Sequence, residues 1–242
     1  MRPLLLALSL APAAALARPA TLEAQSAGFA GNQLQMMGML ALMALVPFAI
    51  MMLTSFSKIV VVLSIVRSAL GTQQAPPTMV LTGLAAVLSA TIMTPTVEKM
   101  WSAGRQAYAE VHEGAELLSH ASHVTQPLVA FLTRHGSPEE RARLVDLARE
   151  LRPPDEASLV SDTDLSVVVP AFVLTELKEA FIIGFLVFLP FLVLDMLIAN
   201  VLLALGMQTL SPSQVSLPFK LLLFVAVDGW GLLSRGLILA YR

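Results

Sequence analysis

From Val167 to Tyr241 the chain is apolar, yet it carries Glu176, Lys178, Glu179, Asp195, Lys220 and Asp228. A charge held at bilayer depth costs at least ~2.5–3.5 kcal/mol, so such residues face a partner helix, another subunit or water. Any fold of this segment must give each group a partner or a route to solvent. The segment therefore reads as built for assembly or transport.

The rest of the composition agrees with a membrane chain. With 56% hydrophobic residues, 13% charged residues and a mean hydropathy of +0.76, a soluble globule is excluded as the first reading. The net charge of -2 and the lack of a Lys/Arg run interleaved with aromatics exclude a nucleic-acid partner. The sequence has no cysteine, so thiolate nucleophiles and Cys-ligated metals are out. Arg2, the apolar core Leu4 to Leu16 and the small-x-small triplet Ala15-Leu16-Ala17 read as a cleavable signal. That core is shorter than the ~20 residues a span requires.

Leu34 to Leu53 is apolar and uncharged, long enough to cross a ~30 Å hydrocarbon core. Thr54 to Lys58 interrupts it, and Gly71 with Pro76-Pro77 stops the next stretch before a second span, Met79 to Thr96. Glu98 to Asp164 holds most of the acids and all four histidines and reads as an extramembrane insert. Within it Ser137, Pro138 and Glu140 predict a capped helix that ends at Pro153-Pro154, with Leu144, Leu147 and Leu151 on its apolar face. Val167 to Leu205 would reach ~58 Å as one helix, too long for a simple span, so breaks are expected at Pro170 and Pro190. Val215 to Tyr241 forms the last apolar element, with Gly229 and Gly231 as weak points.

The expected organisation is all-α, a multi-span membrane protein of broken helix hairpins with a helical polar insert, assembling into a ring or helical gate. Its parts are a signal over 1–17, a hairpin region over 34–97, the insert over 98–164 and a second hairpin region over 165–242 with a loop at 206–214. A cleaved signal puts the insert on the outer, periplasmic side of a bacterial inner membrane by parity. Lys58 and Arg67 then fall on the cytoplasmic side, where basic residues are favoured.

Helix geometry restricts the charge pairs. Glu176 and Glu179 share a face, whereas Lys178 lies ~200° round from Glu176. Lys220 and Asp228 are ~12 Å apart along an axis, too far to meet. Partners must come from another helix or another subunit, or else the groups lie in headgroups or water with the lysines snorkelling. Ala180 and Gly184 form a small-x-x-x-small pair that lets helices approach closely. No Gly-x-Ser-x-Gly elbow, His-Glu-x-x-His zinc motif or glycine-rich phosphate loop is present. His120 and His123 share a helix face but lack a third ligand, and an aspartyl dyad of Asp195 and Asp228 matches no protease signature.

Three stretches carry a family likeness: Thr54-Ser55-Phe56-Ser57-Lys58 through Ser64 with Arg67 through Pro77, Pro170 through Phe181 with Leu189-Pro190-Phe191, and Ser216 through Asp228-Gly229-Trp230. In order and spacing they resemble the signatures of the FliP/SctR family. The resemblance implies a non-enzymatic core subunit of a type III export gate, without cofactor. It implies a pentamer that joins SctS/FliQ-like and SctT/FliR-like partners around a path for unfolded secreted polypeptides. It also implies a seal in the loop Gly206 to Pro212, by Met207, Gln208, Thr209 and Leu210. Some relatives have more methionines there; here Met207 stands alone. Flexible thioethers suit a deformable seal. The signal resembles flagellar members, while Ala199 to Met207 is more similar to injectisome members, and the balance favours the injectisome. A self-contained solute or ion transporter using the same acids is the alternative, and an intramembrane hydrolase a third reading.

Overall fold

The computed structural model describes the backbone of residues 20–72, 75–110, 117–207 and 209–242. The expected signal, Gln208 and the side chain of His120 lie outside the described residues. All regular elements among them are helices: α1 (Ala20–Met52), α2 (Phe56–Ala69), α3 (Thr78–Glu110), α4 (Leu117–His135), α5 (Pro138–Glu150), α6 (Pro154–Ala157), α7 (Leu165–Ala204), α8 (Pro212–Ala226) and α9 (Gly229–Leu239). The chain divides into two units, one ending at Phe48 and one from Ala49 to Arg242. The first contains most of α1, whose apolar side chains from Met36 to Phe48 face outward.

The second unit is organised around α2. Ile59, Val62, Leu63 and Val66 recur at the helical interval and are fully buried. They pack with Leu81 and Ala85 of α3, Ala180 and Phe191 of α7, Phe224 of α8 and Leu237 of α9. Gly184 lies so close to Ile65 that an added methyl would displace that side chain. With Ala180 buried beside it, the small pair foreseen on α7 is the surface that admits α2. Between helices at bilayer depth the gain comes from such close packing and not from release of water.

The turns follow from local chemistry. The segment between α1 and α2 is polar, and its hydroxyls are satisfied: Thr54 Oγ1 donates to the Ile50 carbonyl at 2.7 Å, and Ser55 Oγ to Ser89 Oγ on α3 at 3.1 Å. α2 stops before Gly71, which takes φ = 75°, a conformation that costs glycine little. The α7–α8 turn uses Gly206 in the same way, at φ = 71°. α8 and α9 are bent by 59° at Val227-Asp228, one residue before the glycine named as a weak point.

Three expectations are corrected. α7 is one helix of 40 residues rather than two pieces, continuous through Pro170 and Pro190. A proline removes a single donor and kinks a helix, and packed neighbours tolerate that inside an apolar segment. α5 has the predicted bounds but no capping box, since Glu140 turns to Arg143 and Lys178, at 3.4 and 3.6 Å. The Ser137 amide donates instead to Thr175 Oγ1 of α7 at 2.9 Å. Nor does α5 bury Leu147 or Leu151, which are 52% and 85% exposed; Val145, with Leu144 and Ala148 around it, meets Val160 and Val167.

α3 continues past Thr96 into the region expected as the insert. Among the described residues α3 and α7 are long and apolar enough to cross a membrane, and there are up to four such spans if each bent pair, α1 with α2 and α8 with α9, counts as one. At ~1.5 Å per residue α7 measures ~60 Å, about twice a hydrocarbon core. One side of it is unpartnered within the described part of the second unit and exposes Phe181, Ile182, Phe185, Val193 and Met196.

Candidate functional site: two buried charge centres

α2 packs against α7 with Lys58 directed at the acids of α7. Lys58 Nζ lies 2.9 Å from Glu176 Oε1, as an ion pair without hydrogen-bond alignment, and donates to Glu179 Oε2 at 2.7 Å. The i,i+3 spacing of the two glutamates places them side by side over one ammonium. Lys58 is 2% exposed and Glu176 fully buried, whereas Glu179 is half exposed. Tyr241, just beyond α9, donates its hydroxyl to Glu176 Oε2, and its ring lies 4.3 Å from Lys58 Nζ. A cation over an aromatic face gains ~0.5–2 kcal/mol, the more when water is absent.

The ring of Tyr241 also stacks on Phe131 of α4 at 6.0 Å and meets His135 at 5.0 Å. The first charge centre is thereby joined to a second apolar cluster that includes Met93, Leu132, Val168 and Phe172. Burial and the neighbouring Arg134 charge hold the His135 imidazole below the ordinary histidine range.

The second centre joins α7 to α8. Lys220 Nζ donates to Asp195 Oδ2 at 2.6 Å and to the Ala69 carbonyl at 3.1 Å. That carbonyl is one of those left free at the end of α2, where the helix dipole favours a cation. Ser216 Oγ donates to Asp195 Oδ1 at 2.5 Å, so both oxygens of the carboxylate are engaged.

The remaining sequence candidates have different surroundings. Lys178 points away from both glutamates and faces Glu140 of α5 across 3.6 Å, exposed to solvent. Arg67 donates to Thr78 Oγ1 at 2.9 Å at the α2–α3 turn. Lys58, read from chain order as a basic residue of the cytoplasmic side, is enclosed between helices. Asp228 takes φ = 51° at the α8–α9 bend, is exposed, and has no ion pair among the described residues. Met207, Thr209 and Leu210 are exposed in the α7–α8 turn. Tyr241 and Ser216 escaped the sequence reading. A tyrosine within an apolar terminus was the available signal, because a buried phenol seeks an acceptor.

No reaction follows from these arrangements. Asp195 is occupied by Ser216 and Lys220 and shares no hydrogen bond with Asp228. Among the described residues no three His, Cys, Asp or Glu side chains are grouped to hold a metal. What the centres do is fix helices: one joins α2, α7 and the end of α9, the other α2, α7 and α8.

Comparison with known proteins gives a consistent result. A family model described as the FliP family matches residues 39–237. The chain is 47% identical to the hypersensitivity response secretion protein HrcR of Ralstonia nicotianae, over 82% of this chain and 93% of that protein. It is 40% identical to the Yop proteins translocation protein R of Yersinia pestis, over 87% and 97%. It is 39% identical to the flagellar biosynthetic protein FliP of Caulobacter vibrioides, over 98% and 88%.

Proposed function

The chain belongs to the FliP family, and from that premise we propose that it is a membrane-embedded, non-enzymatic subunit of a type III protein export apparatus. Relatives named for secretion, for translocation and for flagellar biosynthesis all align along most of its length. The reading therefore rests on the apparatus those systems share rather than on one of them.

The observation that carries it is the combination of internally paired charge and uncovered apolar surface. The buried lysines of α2 and α8 pair with acids of α7 inside the single chain. The long apolar side of α7 is meanwhile uncovered. Such a chain is rigid within and sticky without, as a subunit of a larger gate requires. In this reading copies of the chain form a pentamer with SctS/FliQ-like and SctT/FliR-like subunits in the bacterial inner membrane. The α4–α6 insert lies on the periplasmic side. Met207 and its neighbours in the α7–α8 turn close the path of unfolded substrates.

Affinity purification of the full chain from its native membrane in mild detergent tests the proposal. Two further apolar chains at fixed stoichiometry, and loss of protein export when the gene is deleted, are the expected results. A homomeric species that moves a small solute in liposomes would establish the transporter instead.

A further inference from the structure

A cavity of about 460 Å³ opens between α3 and α4 beside Tyr241. Its lining combines apolar Ile92, Pro95 and Phe131 with the cations Lys99 and Arg134 and the imidazole of His135, and includes no Asp or Glu. Lys99 and Arg134 are exposed and have no ion pair among the described residues. The nearby ammonium of Lys58 is already taken by Glu176 and Glu179. The cavity is thus a site of uncompensated positive charge with greasy walls. Its position along α3 is equally specific, because the apolar run of that helix gives way at Thr96 to Lys99, and Trp101 is exposed just beyond. Tryptophan and basic side chains at the end of an apolar span mark the headgroup level of a bilayer.

We propose that this cavity binds the headgroup of an anionic phospholipid, with Arg134 and Lys99 holding the phosphate oxygens and apolar Ile92, Pro95 and Phe131 receiving the first carbons of the acyl chains. A guanidinium meets a phosphate through paired N–H donors, and a lysine adds a mobile point charge. A basic pocket where a membrane helix leaves the bilayer holds an anionic headgroup on the same principle. The proposal does not depend on the export reading.

Native mass spectrometry of the detergent-extracted full chain, titrated separately with phosphatidylglycerol and phosphatidylcholine of matched acyl length, reads the preference directly. The expected result is at least about tenfold preferential retention of phosphatidylglycerol: both lipids carry the phosphodiester, but the choline cation of phosphatidylcholine cancels its charge and is repelled by Lys99 and Arg134. The double variant Lys99→Gln/Arg134→Gln should erase it, while Lys178→Gln, outside the cavity, should keep it. Equal retention of both lipids, or a preference that survives the double variant, overturns the proposal. Millimolar inorganic phosphate separates the lipid from the free anion: retention in its presence supports the lipid, and displacement overturns it in favour of a phosphate site. Should the double variant fail to fold, the single variants Lys99→Gln and Arg134→Lys replace it. Both must lower the preference, and an unchanged value in either overturns the assignment.

Discussion

Lys58 of α2 and Glu176 of α7 form an ion pair at 2.9 Å that water does not reach, and Tyr241 closes over it from the end of α9. A buried pair of this kind is costly to break and inexpensive to replace as a whole. Lys58→Met or Glu176→Leu alone should destabilise the chain by ~3–5 kcal/mol, since each leaves an unpaired buried charge. The double variant should lose clearly less than the sum. Denaturation in detergent followed by circular dichroism gives the double-mutant cycle, and additive losses would mean that the two side chains do not interact.

Lys178 provides the contrast. Its 3.6 Å contact with Glu140 is solvent-exposed, so Lys178→Ala should change stability by less than ~1 kcal/mol. A variant that folds normally but no longer forms oligomers on a native gel would place Lys178 at a subunit contact. Unchanged oligomers exclude that role.

Gly184 faces Ile65 across the α2–α7 contact with no room for a side chain. Gly184→Val should therefore separate the helices and cost ~1–3 kcal/mol by overpacking. Ile65→Ala in the same chain should recover part of the loss, and no recovery would locate the strain elsewhere.

The pH dependence follows from His135, which is held below the ordinary histidine pKa in the fold. A group depressed in the folded state favours the unfolded state as protons are added. Its contribution is complete above ~6.5 and declines as the pH falls through that value toward the folded pKa. Melting temperature should drop over this window in the parent chain, and His135→Gln should flatten the decline. An equal decline in both chains assigns it to other groups.

Met207 is exposed in the α7–α8 turn, where the proposed seal lies. Met207→Gly should leave assembly intact and raise ion leakage across the membrane. Conductance equal to that of the parent would remove Met207 from the seal.

Much of this was readable in the residues. Thr54-Ser55 and Gly71 marked where helices stop, and the 3.6-residue repeat showed that Lys178 and Asp228 cannot neutralise Glu176 and Lys220. Periodicity alone could not say which distant group does so, because the meeting of Lys58 with Glu176 depends on how α2 lies against α7. The same limit accounts for α5. Its leucines are spaced as a face, but the neighbours selected Val145, one position round the helix. Pro190 misled for a different reason: a proline's lost donor ends a helix where water competes for the backbone, and much less readily inside an apolar, span-length segment.

The closure over Glu176 also imposes an order in time. Lys58, Phe131, His135 and Glu176 are all translated before Tyr241, the residue whose hydroxyl and ring bind them together. Until α9 has left the ribosome, Glu176 has a lysine but no phenol. The first charge centre is therefore completed last, and a copy released before Tyr241 is marked by the carboxylate it leaves without its phenol.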